Sequence, residues 1–452
     1  MEAIPSSFRD PSGFVFERDG EIFRQVNPCY GKHYDKLMSS GLYKTLVNKE
    51  YLIPHEELQT VDNGAYKLLK PEQIRFISYP YEWCFGQLKK AALTTLRIHQ
   101  AALEAKMILK DATAYNIQFQ GYRAVFIDTL SFEEYQEDRP WVAYKQFCQH
   151  FLAPLALMSL TDTRLGNLSQ IHIDGIPLDL ASQLLPVKAK LNPGLLMHIF
   201  AHAKAQEGAS ENIEKKMQVK LPYKKQLDIV TNLIDTVLGL KLKKQKTTWS
   251  DYYSDTNYSG TALASKENII KTWITSINPA ITWDVGANNG HFSRLATAAG
   301  SYVISMDMDE ECVQNNFVEA TREKNLNLLP LRIDLSQPSP AIGWSNSERL
   351  SIGDRGPSDL SLALALVHHL AIGNNVPLNQ VAKFFADTSR NLIIEFVPKA
   401  DSQVKRMLST REDIFDKYSK MDFESAFQEY FNINDKSEVS DSQRVLYLMS
   451  RR

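Results

Sequence analysis

The stretch 284-DVGANNGHFSRLA-296 joins a predicted buried strand to a predicted amphipathic helix. Gly286 and Gly290 bracket the loop, where glycine lets the backbone approach a ligand and the first helical N–H groups face the loop. Asn288 and Asn289 tolerate left-handed backbone angles. Two glycines four residues apart are equally typical of a structural turn, so the neighbouring strands must decide between a ligand loop and a turn.

Short apolar runs alternate with amphipathic stretches through the C-terminal half. Continuous apolar strands that are separated by helices are typical of a parallel sheet covered on both faces. The segments 431–433 and 444–450, joined by a polar turn region, predict an antiparallel hairpin on the edge of that sheet. The predicted strands are 281–285, 301–306, 328–333, 359–366 and 391–397, and the predicted helices are 291–300, 309–324 and 377–389.

An acidic residue stands at the end of each of the first three predicted strands: Asp284, Asp307 and Asp334. A ribose-binding fold needs an acid at the end of the second strand, about 20 residues after the glycine loop, to accept hydrogen bonds from the sugar hydroxyls. Because doubly wound sheets bind ligands at the C-terminal edge of their strands, all three acids are expected to face one site. We therefore predict a nucleoside cofactor.

The loop lacks the G-x-G-x-x-G pattern of dinucleotide-binding domains. The segment from about 250 to 452 instead resembles the class I S-adenosylmethionine-dependent methyltransferases, whose first motif is an acid followed by a glycine-rich loop, and the terminal hairpin is similar to that family's reversed seventh strand. The resemblance implies that Asp284 and the loop border the methionine end of the cofactor, that Asp307 binds the ribose, and that Asp334 binds the adenine. The implied cofactor-binding residues are Asp284, Gly286, Ala287, Asn288, Gly290, Asp307, Met308, Asp334 and Leu335.

Polar residues near the later strands are candidates for the reacting end. His368 and His369 follow the fourth strand, where imidazole can orient a substrate or accept its proton; alternatively, one of them caps the strand and packs. Glu395 lies inside an apolar strand and either binds substrate or neutralises a nearby cation. Candidates for the substrate wall are Tyr253, Trp344, Arg349 and Glu395, although the arginine also suits a surface ion pair. No metal site is expected in this half.

The N-terminal half contains a second motif. Asp111 lies five residues before Asn116, and Asp128 follows twelve residues later after a strand-like run. A protein-kinase catalytic loop has this spacing, with a hairpin between the metal-binding Asn and Asp. This half therefore resembles a divergent kinase-like fold of α+β class, which implies a nucleotide and metal site for Mg-ATP.

The N-terminal half also departs from the kinase pattern. Leu109 stands where the usual His precedes the catalytic Asp, and no glycine-rich loop occurs near Gly13. No lysine is clearly placed to pair the phosphates, for which Arg24 or Lys70 are candidates. Three readings stay open: a coincidence in a helical domain, a degenerate fold that recognises substrate or a partner, and active phosphoryl transfer.

Composition restricts the partners and the compartment. Lys and Arg number 51 against 53 Asp and Glu, so the net charge of −2 gives no field that would draw nucleic acid or an anionic membrane. The four cysteines lie far apart, which favours a reducing cytoplasm over a disulfide framework or a zinc site. The N-terminus lacks the basic start and apolar run of a signal peptide.

Over nearly its full length, the chain resembles a bacterial methyltransferase family of nodulation-protein-like (NoeA) type. We predict a kinase-like domain at 1–245, an aromatic linker or cap at 246–270, and a methyltransferase domain at 271–452. The expected function is methyl transfer to an unidentified small molecule or protein. Two alternatives are a nucleotide-dependent phosphotransferase regulated by the C-terminal half and a non-catalytic sensor of S-adenosylmethionine.

Overall fold

The computed structural model describes residues 3–59, 64–207, 221–242, 260–409 and 412–452. The chain divides into two compact units: the first unit is Met1–Lys243 with Gly343–Arg349, and the second unit is Lys244–Ile342 with Leu350–Arg452. The main division lies two residues before the predicted boundary at 245. Tyr253 and the aromatic segment around it lie outside the described residues.

The second unit is built on a seven-stranded sheet with the strand order β11-β10-β9-β12-β13-β15-β14. The first five strands in this order are parallel, whereas β15 runs antiparallel to β13 and pairs with β14 in a closing hairpin. The strands are β9 Ile281–Val285, β10 Tyr302–Asp307, β11 Leu328–Arg332, β12 Ser358–Ala363, β13 Ser389–Phe396, β14 Phe431–Glu438 and β15 Val445–Arg451.

Helices cover both faces of this sheet along the chain. Their bounds are Gly260–Ile277, His291–Ala298, Glu310–Arg322, Leu378–Thr388, Ser402–Leu408 and Lys420–Gln428. The first helix buries Ala262, Ile270, Trp273 and Ile274 in one core with residues of the central strands. This helix crosses the predicted boundary at 270, because its apolar face belongs to the core on both sides of that position.

The predicted doubly wound sheet with a terminal antiparallel hairpin is confirmed. One detail differs: β14 extends to Glu438, through residues that the sequence indicated as a polar turn. The strand lies at the edge of the sheet and carries a β-bulge between Ile433 and Asp435. An edge strand tolerates exposed polar side chains, so this strand has no apolar alternation that a sequence pattern can detect.

The first unit contains a four-stranded antiparallel sheet, two small strand pairs and many helices among its described residues. The order of the larger sheet is β1-β2-β4-β3, and the pairs are β5 with β8 and β6 with β7. The strands are β1 Gly13–Arg18, β2 Glu21–Val26, β3 His55–Leu58, β4 Lys67–Pro71, β5 Met107–Leu109, β6 Ile117–Gln120, β7 Arg123–Phe126 and β8 Phe132–Glu134. The α-helices are Gly31–Ser39, Leu42–Asn48, Phe85–Glu104, Tyr144–Phe147, Ala153–Leu160, Leu168–Ile171, Leu178–Leu184, Pro193–Leu195, His202–Glu207 and Tyr223–Gly239.

The strands β1 and β2 form an antiparallel hairpin, and a long helix spans Phe85–Glu104 before the Asp111 segment. The hairpin β6–β7 lies between Asn116 and Asp128, as a kinase-type loop requires. The kinase-like fold of the first unit stays a prediction. Within the described part of the chain, no helix combines the length and apolar character needed to cross a membrane.

Candidate active site

A cavity of about 250 Å³ opens at the carboxyl ends of the parallel strands of the second unit. The strand order reverses between β9 and β12, and ligands of doubly wound sheets bind at such a switch point. The described residues that line the cavity are Leu263, Lys266, Asp284, Gly286, Ala287, Asn288, Phe292, Asp307, Met308, Ile333, Asp334, Leu335, Ser336, Leu364, Ala365, Leu366, His369, Leu370, Gly373 and Asn374.

The loop after β9 has the backbone that its sequence predicts. Gly286, Asn288 and Gly290 have φ angles of 75°, 53° and 79°, all in the left-handed region. The N–H groups of Gly286 and Ala287 both donate to the carbonyl of Met306, each at 2.9 Å, which ties the loop to β10. Gly290 does not line the cavity; its role is to open the following helix, where a Cβ would lie 2.5 Å from the amide of Asn316.

Asp284 is buried under this loop. The Ser293 hydroxyl donates to its carboxylate at 2.6 Å, and the oxygens of the Ser293 and Ser305 hydroxyls lie 3.0 Å apart. Burial raises the pKa of Asp284 to about 7, and the hydrogen bond from Ser293 opposes the shift. The carboxyl group is therefore partly protonated near neutral pH, and a cation in the cavity would favour its charged form.

Asp307 is the last residue of β10 and is oriented by two backbone groups. The N–H of Asn288 donates to one carboxylate oxygen at 2.7 Å, and the N–H of Asp309 donates to the other at 2.9 Å. Burial raises the pKa of Asp307 to about 6, against these hydrogen bonds. Each oxygen keeps a second acceptor site, so the geometry suits a pair of vicinal hydroxyls.

Asp334 follows β11 and forms the far side of the cavity with Leu335 and Ser336. Its carboxylate accepts hydrogen bonds from the N–H and the hydroxyl of Ser336 at 2.8 and 2.7 Å. Met308, which is 62% exposed, lies at the rim. All three strand-end acids thus line one cavity. Ser336 was not among the sequence candidates, because its position depends on the turn after β11.

The two histidines differ in position. His369 lines the cavity and opens a π-helical turn, His369–Gly373, whereas His368 is buried beneath it and does not line the cavity. Their rings lie 4.2 Å apart. Burial lowers the pKa of both imidazoles, with a further contribution from the charge of Arg444. His369 is therefore a neutral imidazole at physiological pH, able to accept a proton or a hydrogen bond.

Glu395 does not line the cavity. It is fully buried in β13, where one of its carboxylate oxygens accepts a hydrogen bond from the Lys266 ammonium at 2.7 Å. Lys266 itself lines the cavity. The geometry therefore favours the second reading of Glu395, as the partner of a cation. Lys266 was not among the sequence candidates, although it occupies an apolar-face position between Ala262 and Ile270 in its helix.

Trp344 and Arg349 do not line the cavity either. Both belong to the segment Gly343–Arg349, which packs within the first unit. There the Arg349 guanidinium lies over the ring of Tyr115 at 4.2 Å, and neighbouring Glu348 pairs with Arg9 at 2.7 Å. Their assignment to a substrate wall stays a prediction, since the structure shows only that Gly343–Arg349 belongs to the first unit and does not contribute to the cavity lining.

The predicted kinase-type residues come together in the first unit. Asp128 forms an ion pair with Arg24 of β2 and accepts a hydrogen bond from the hydroxyl of Ser131. Asn116 donates to the same hydroxyl at 3.1 Å. Burial and the charge of Asp128 raise the pKa of Asp111. Lys70 instead pairs with Glu21 at 2.8 Å. Among the residues that the structure describes, no group of three or more His, Cys, Asp or Glu side chains is placed to hold a metal ion.

Sequence comparison finds one full-length relative of high similarity. The chain is 33% identical over 461 residues to the nodulation protein NoeA of Rhizobium meliloti (strain 1021), covering 99% of this chain and 96% of that protein. No protein-family model matches the chain.

Structure comparison finds weaker likenesses that each cover less than half of the chain. The magnesium protoporphyrin IX methyltransferase ChlM from Synechocystis PCC 6803, with bound SAH, matches 45% of this chain and 92% of its own at 17% identity and a TM-score of 0.33. The N-methyltransferase NodS from Bradyrhizobium japonicum WM9, in complex with S-adenosyl-L-homocysteine, matches 44% and 91% at 10% identity and a TM-score of 0.33. The bifunctional kinase-methyltransferase WbdD matches 44% and 41% at 15% identity and a TM-score of 0.31.

Proposed function

The chain belongs to the family of the nodulation protein NoeA, and we propose that it is an S-adenosylmethionine-dependent methyltransferase whose cofactor binds in the cavity of the second unit. One observation carries the proposal: Asp284, Asp307 and Asp334, at the ends of three adjacent parallel strands, all line that cavity. A glycine loop bound to β10 closes the same end. Acids at these three places are what a nucleoside with a charged amino-acid tail requires.

Each lining group has a role that follows from its chemistry. S-Adenosylmethionine supplies an electrophilic methyl group on a sulfonium. Asp307 accepts hydrogen bonds from the ribose hydroxyls, and the carboxylate of Asp334, oriented by Ser336, offers an acceptor to the amino group of the adenine. Asp284 balances the charge of the amino group. The apolar residues Leu263, Phe292, Ile333, Leu364 and Leu366 exclude water from the site.

The acceptor end of the cavity is formed by the π-helical turn that His369 opens. Irregular helical turns of this kind occur often at functional sites. His369, neutral at physiological pH, would orient the acceptor or remove its proton. In-line approach of the nucleophile contributes most of the catalysis, so we expect His369 to assist the reaction without being indispensable.

For the first unit we propose recognition of the acceptor or of a partner protein, without phosphoryl transfer. The carboxylate of Asp128 already forms an ion pair with Arg24 and accepts a hydrogen bond from Ser131. A kinase would use this carboxylate to bind its metal ion. The competing proposal, a phosphotransferase, requires Mg-ATP to displace Arg24. Calorimetric titration with Mg-ATP tests it: heat of binding that is lost in Asp128→Ala would favour the phosphotransferase.

The methyltransferase proposal is tested by incubating cell lysate with S-adenosylmethionine labelled in its methyl group. We expect the wild-type protein to transfer label to one pool of protein, nucleic acid or small molecules, and Asp307→Ala to transfer much less at the same cofactor concentration. The control is Asp387→Ala, since Asp387 is exposed, pairs with Lys383 in the same helix and does not line the cavity. If the wild-type chain binds S-adenosylmethionine but labels no pool, a sensor replaces the enzyme; if it does not bind, the assignment of the site is wrong.

A further inference from the structure

Glu395 makes two hydrogen bonds to the lining of the cavity through a single oxygen. Its Oε2 accepts from the ammonium of Lys266 and from the backbone N–H of Ala365, both at 2.7 Å. The other oxygen faces Arg444 at 3.9 Å, and Arg444 donates to Asp401 at 2.8 Å. Lys266 and Ala365 line the cavity, whereas Glu395 lies behind them in β13.

Stability alone does not account for this arrangement. The side chains of Lys266 and Glu395 are 2% and 0% exposed, and removing such a pair from water offsets most of its attraction, so that well-packed apolar residues would stabilise the fold as well. Ala365 has a φ of 51°, in the left-handed region that is strained for a residue other than glycine. A buried ion pair and a strained residue that share one hydrogen-bond acceptor indicate a functional constraint.

The two bonded groups belong to different parts of the cavity. Lys266 lies at the methionine end, since its ammonium is 5.0 Å from the ring of Phe292 in the first turn after the glycine loop, and the charge of Asp284 acts on it. Ala365 begins the chain reversal after β12 that leads to Leu366 and His369. Glu395 therefore connects the cofactor end of the cavity with the wall that carries His369.

The charges around Glu395 balance. Two cations, Lys266 and Arg444, face two carboxylates, Glu395 and Asp401. The amino-acid tail of the cofactor carries one carboxylate and one ammonium, so its binding leaves the net charge of this cluster unchanged. Its carboxylate has a cation available in Lys266, and its ammonium has Asp284, which also lines the cavity.

We propose, on the basis of the function proposed above, that Glu395 is a positioning residue that couples cofactor binding to the acceptor wall. It holds Lys266 charged and aimed at the carboxylate of the cofactor, and it fixes the left-handed turn at Ala365 that places His369. Binding at the methionine end thereby stabilises the segment 364–374.

The first test compares two ligands that differ in the amino-acid tail. S-Adenosylhomocysteine carries the carboxylate, and 5′-methylthioadenosine lacks it. For Lys266→Met we expect about tenfold or greater loss of affinity for S-adenosylhomocysteine, because a charge-assisted hydrogen bond is removed, and about the wild-type affinity for 5′-methylthioadenosine. The matched control is Lys271→Met at an exposed position of the same helix. Equal affinity of Lys266→Met and wild type for S-adenosylhomocysteine would overturn the proposal.

The second test addresses Glu395 itself. Burial lowers the pKa of Lys266, and the charge of Glu395 opposes that shift. In Glu395→Gln the opposing charge is gone, so Lys266 loses its proton at a lower pH than in the wild type. As the pH is raised, we expect the affinity of Glu395→Gln for S-adenosylhomocysteine to begin to fall at a lower pH than that of the wild type, while its affinity for 5′-methylthioadenosine follows the wild-type profile. A residue with only a structural role would weaken both ligands equally.

The third test measures the coupling. Hydrogen exchange of the segment 364–374 should slow when S-adenosylhomocysteine binds the wild type, and this response should be lost in Glu395→Gln. The double variant, which combines Lys266→Met and Glu395→Gln, leaves neither member of the pair as an unpaired charge. It therefore keeps the test valid if either single variant fails to fold. Its loss of affinity should be smaller than the two single losses combined. Additive losses, or an unchanged exchange response in Glu395→Gln, would contradict the coupling.

These tests separate the inference from the function on which it rests. If the wild type binds neither ligand, the proposed function fails. If the wild type binds both and Lys266→Met retains the wild-type preference for S-adenosylhomocysteine, the cofactor site stands and the role of Lys266 and Glu395 is wrong.

Discussion

At the scale of single residues, Asp307 shows how far a sequence pattern reaches. Its role was predicted because parallel strands end at one edge of the sheet and the acid follows the glycine loop at the right distance. The two backbone N–H groups that orient its carboxylate were not predictable. They depend on the conformation of the glycine loop and of the turn after β10, which the fold sets.

We predict that affinity for S-adenosylhomocysteine depends on the ionisation of Asp307. Burial raises the pKa of Asp307 to about 6, so its carboxyl group takes up a proton as the pH falls through that value. Because the charged form is the better acceptor for the ribose hydroxyls, affinity should fall as the pH is lowered from 7.5 to 5. Calorimetric titration across this range measures the effect. In Asp307→Asn, the pH dependence of the affinity that is due to Asp307 should vanish, whereas any dependence due to Asp284 remains. An identical pH profile in the wild type and in Asp307→Asn would contradict the role of Asp307.

His369 gives a second residue-scale prediction. Replacing it by Gln removes the proton acceptor but keeps a hydrogen-bonding side chain, so transfer of label from S-adenosylmethionine should slow by about 10- to 1,000-fold. Binding of S-adenosylhomocysteine should change by less than about threefold, since the carboxylates hold the nucleoside. The comparison is His368→Gln, at a buried position that does not line the cavity. Equal transfer rates in wild type and His369→Gln would exclude a role in proton transfer.

At the scale of elements, the strands of the second unit were predictable because buried parallel strands are continuous apolar runs. Only the first residues of β14, 431–433, were predicted, because the rest of this edge strand is polar and an edge strand needs no apolar pattern. Lys266 was missed because 246–270 was predicted to be a linker or cap, whereas the structure has a helix over Gly260–Ile277 whose buried face carries this lysine. Trp344 and Arg349 do not line the cavity, and the sequence could not indicate this because tertiary contacts decide which unit a loop packs with.

The glycine loop yields a prediction about stability. At Gly290, a Cβ would lie 2.5 Å from the Asn316 amide, and the φ of 79° is unfavourable for any other residue type. Asn316 also donates to Ser305 and accepts from Arg294, so it cannot move freely. Gly290→Ala should lower the free energy of unfolding by about 2 kcal/mol or more, measured by chemical denaturation. Gly300→Ala is a useful comparison, because the φ of Gly300 is also positive but a Cβ there would meet no atom within 4 Å. A smaller decrease in the free energy of unfolding for Gly290→Ala than for Gly300→Ala would contradict the packing argument.

At the scale of the whole molecule, the two halves of the sequence were unequally informative. The second unit carries a motif whose residues lie at successive strand ends, and the sheet brings them to one cavity. In the first unit, the spacing of Asp111, Asn116 and Asp128 predicted that these residues lie close together, and in the structure they interact. The ion pair between Arg24 and Asp128 was not predicted. That pairing depends on how the β1–β2 hairpin packs, which spacing alone does not encode.

We expect the effect of the cofactor on the full-length chain to be confined to the second unit. Hydrogen exchange in the presence of S-adenosylhomocysteine should slow in the segments 284–290, 307–309, 333–336 and 364–374, because these carry most of the cavity lining. Segments of the first unit around Asp111 and Asp128 should exchange at unchanged rates. If exchange slows around Asp128 and does not change at the glycine loop, the nucleoside binds in the first unit, and the assignment of its site to the second unit is wrong.

The central claim is that the cavity at the ends of β9, β10 and β11 binds the S-adenosyl cofactor. Isothermal titration of the full-length protein with S-adenosylhomocysteine tests it most directly, with Asp307→Ala and the exposed control Asp387→Ala titrated alongside. We predict one site per chain in the wild type and in the control, and an affinity lower by about 30-fold or more in Asp307→Ala, since a charged acceptor of two hydrogen bonds is removed. Absence of binding to the wild type, or equal affinity in Asp307→Ala, would contradict the account.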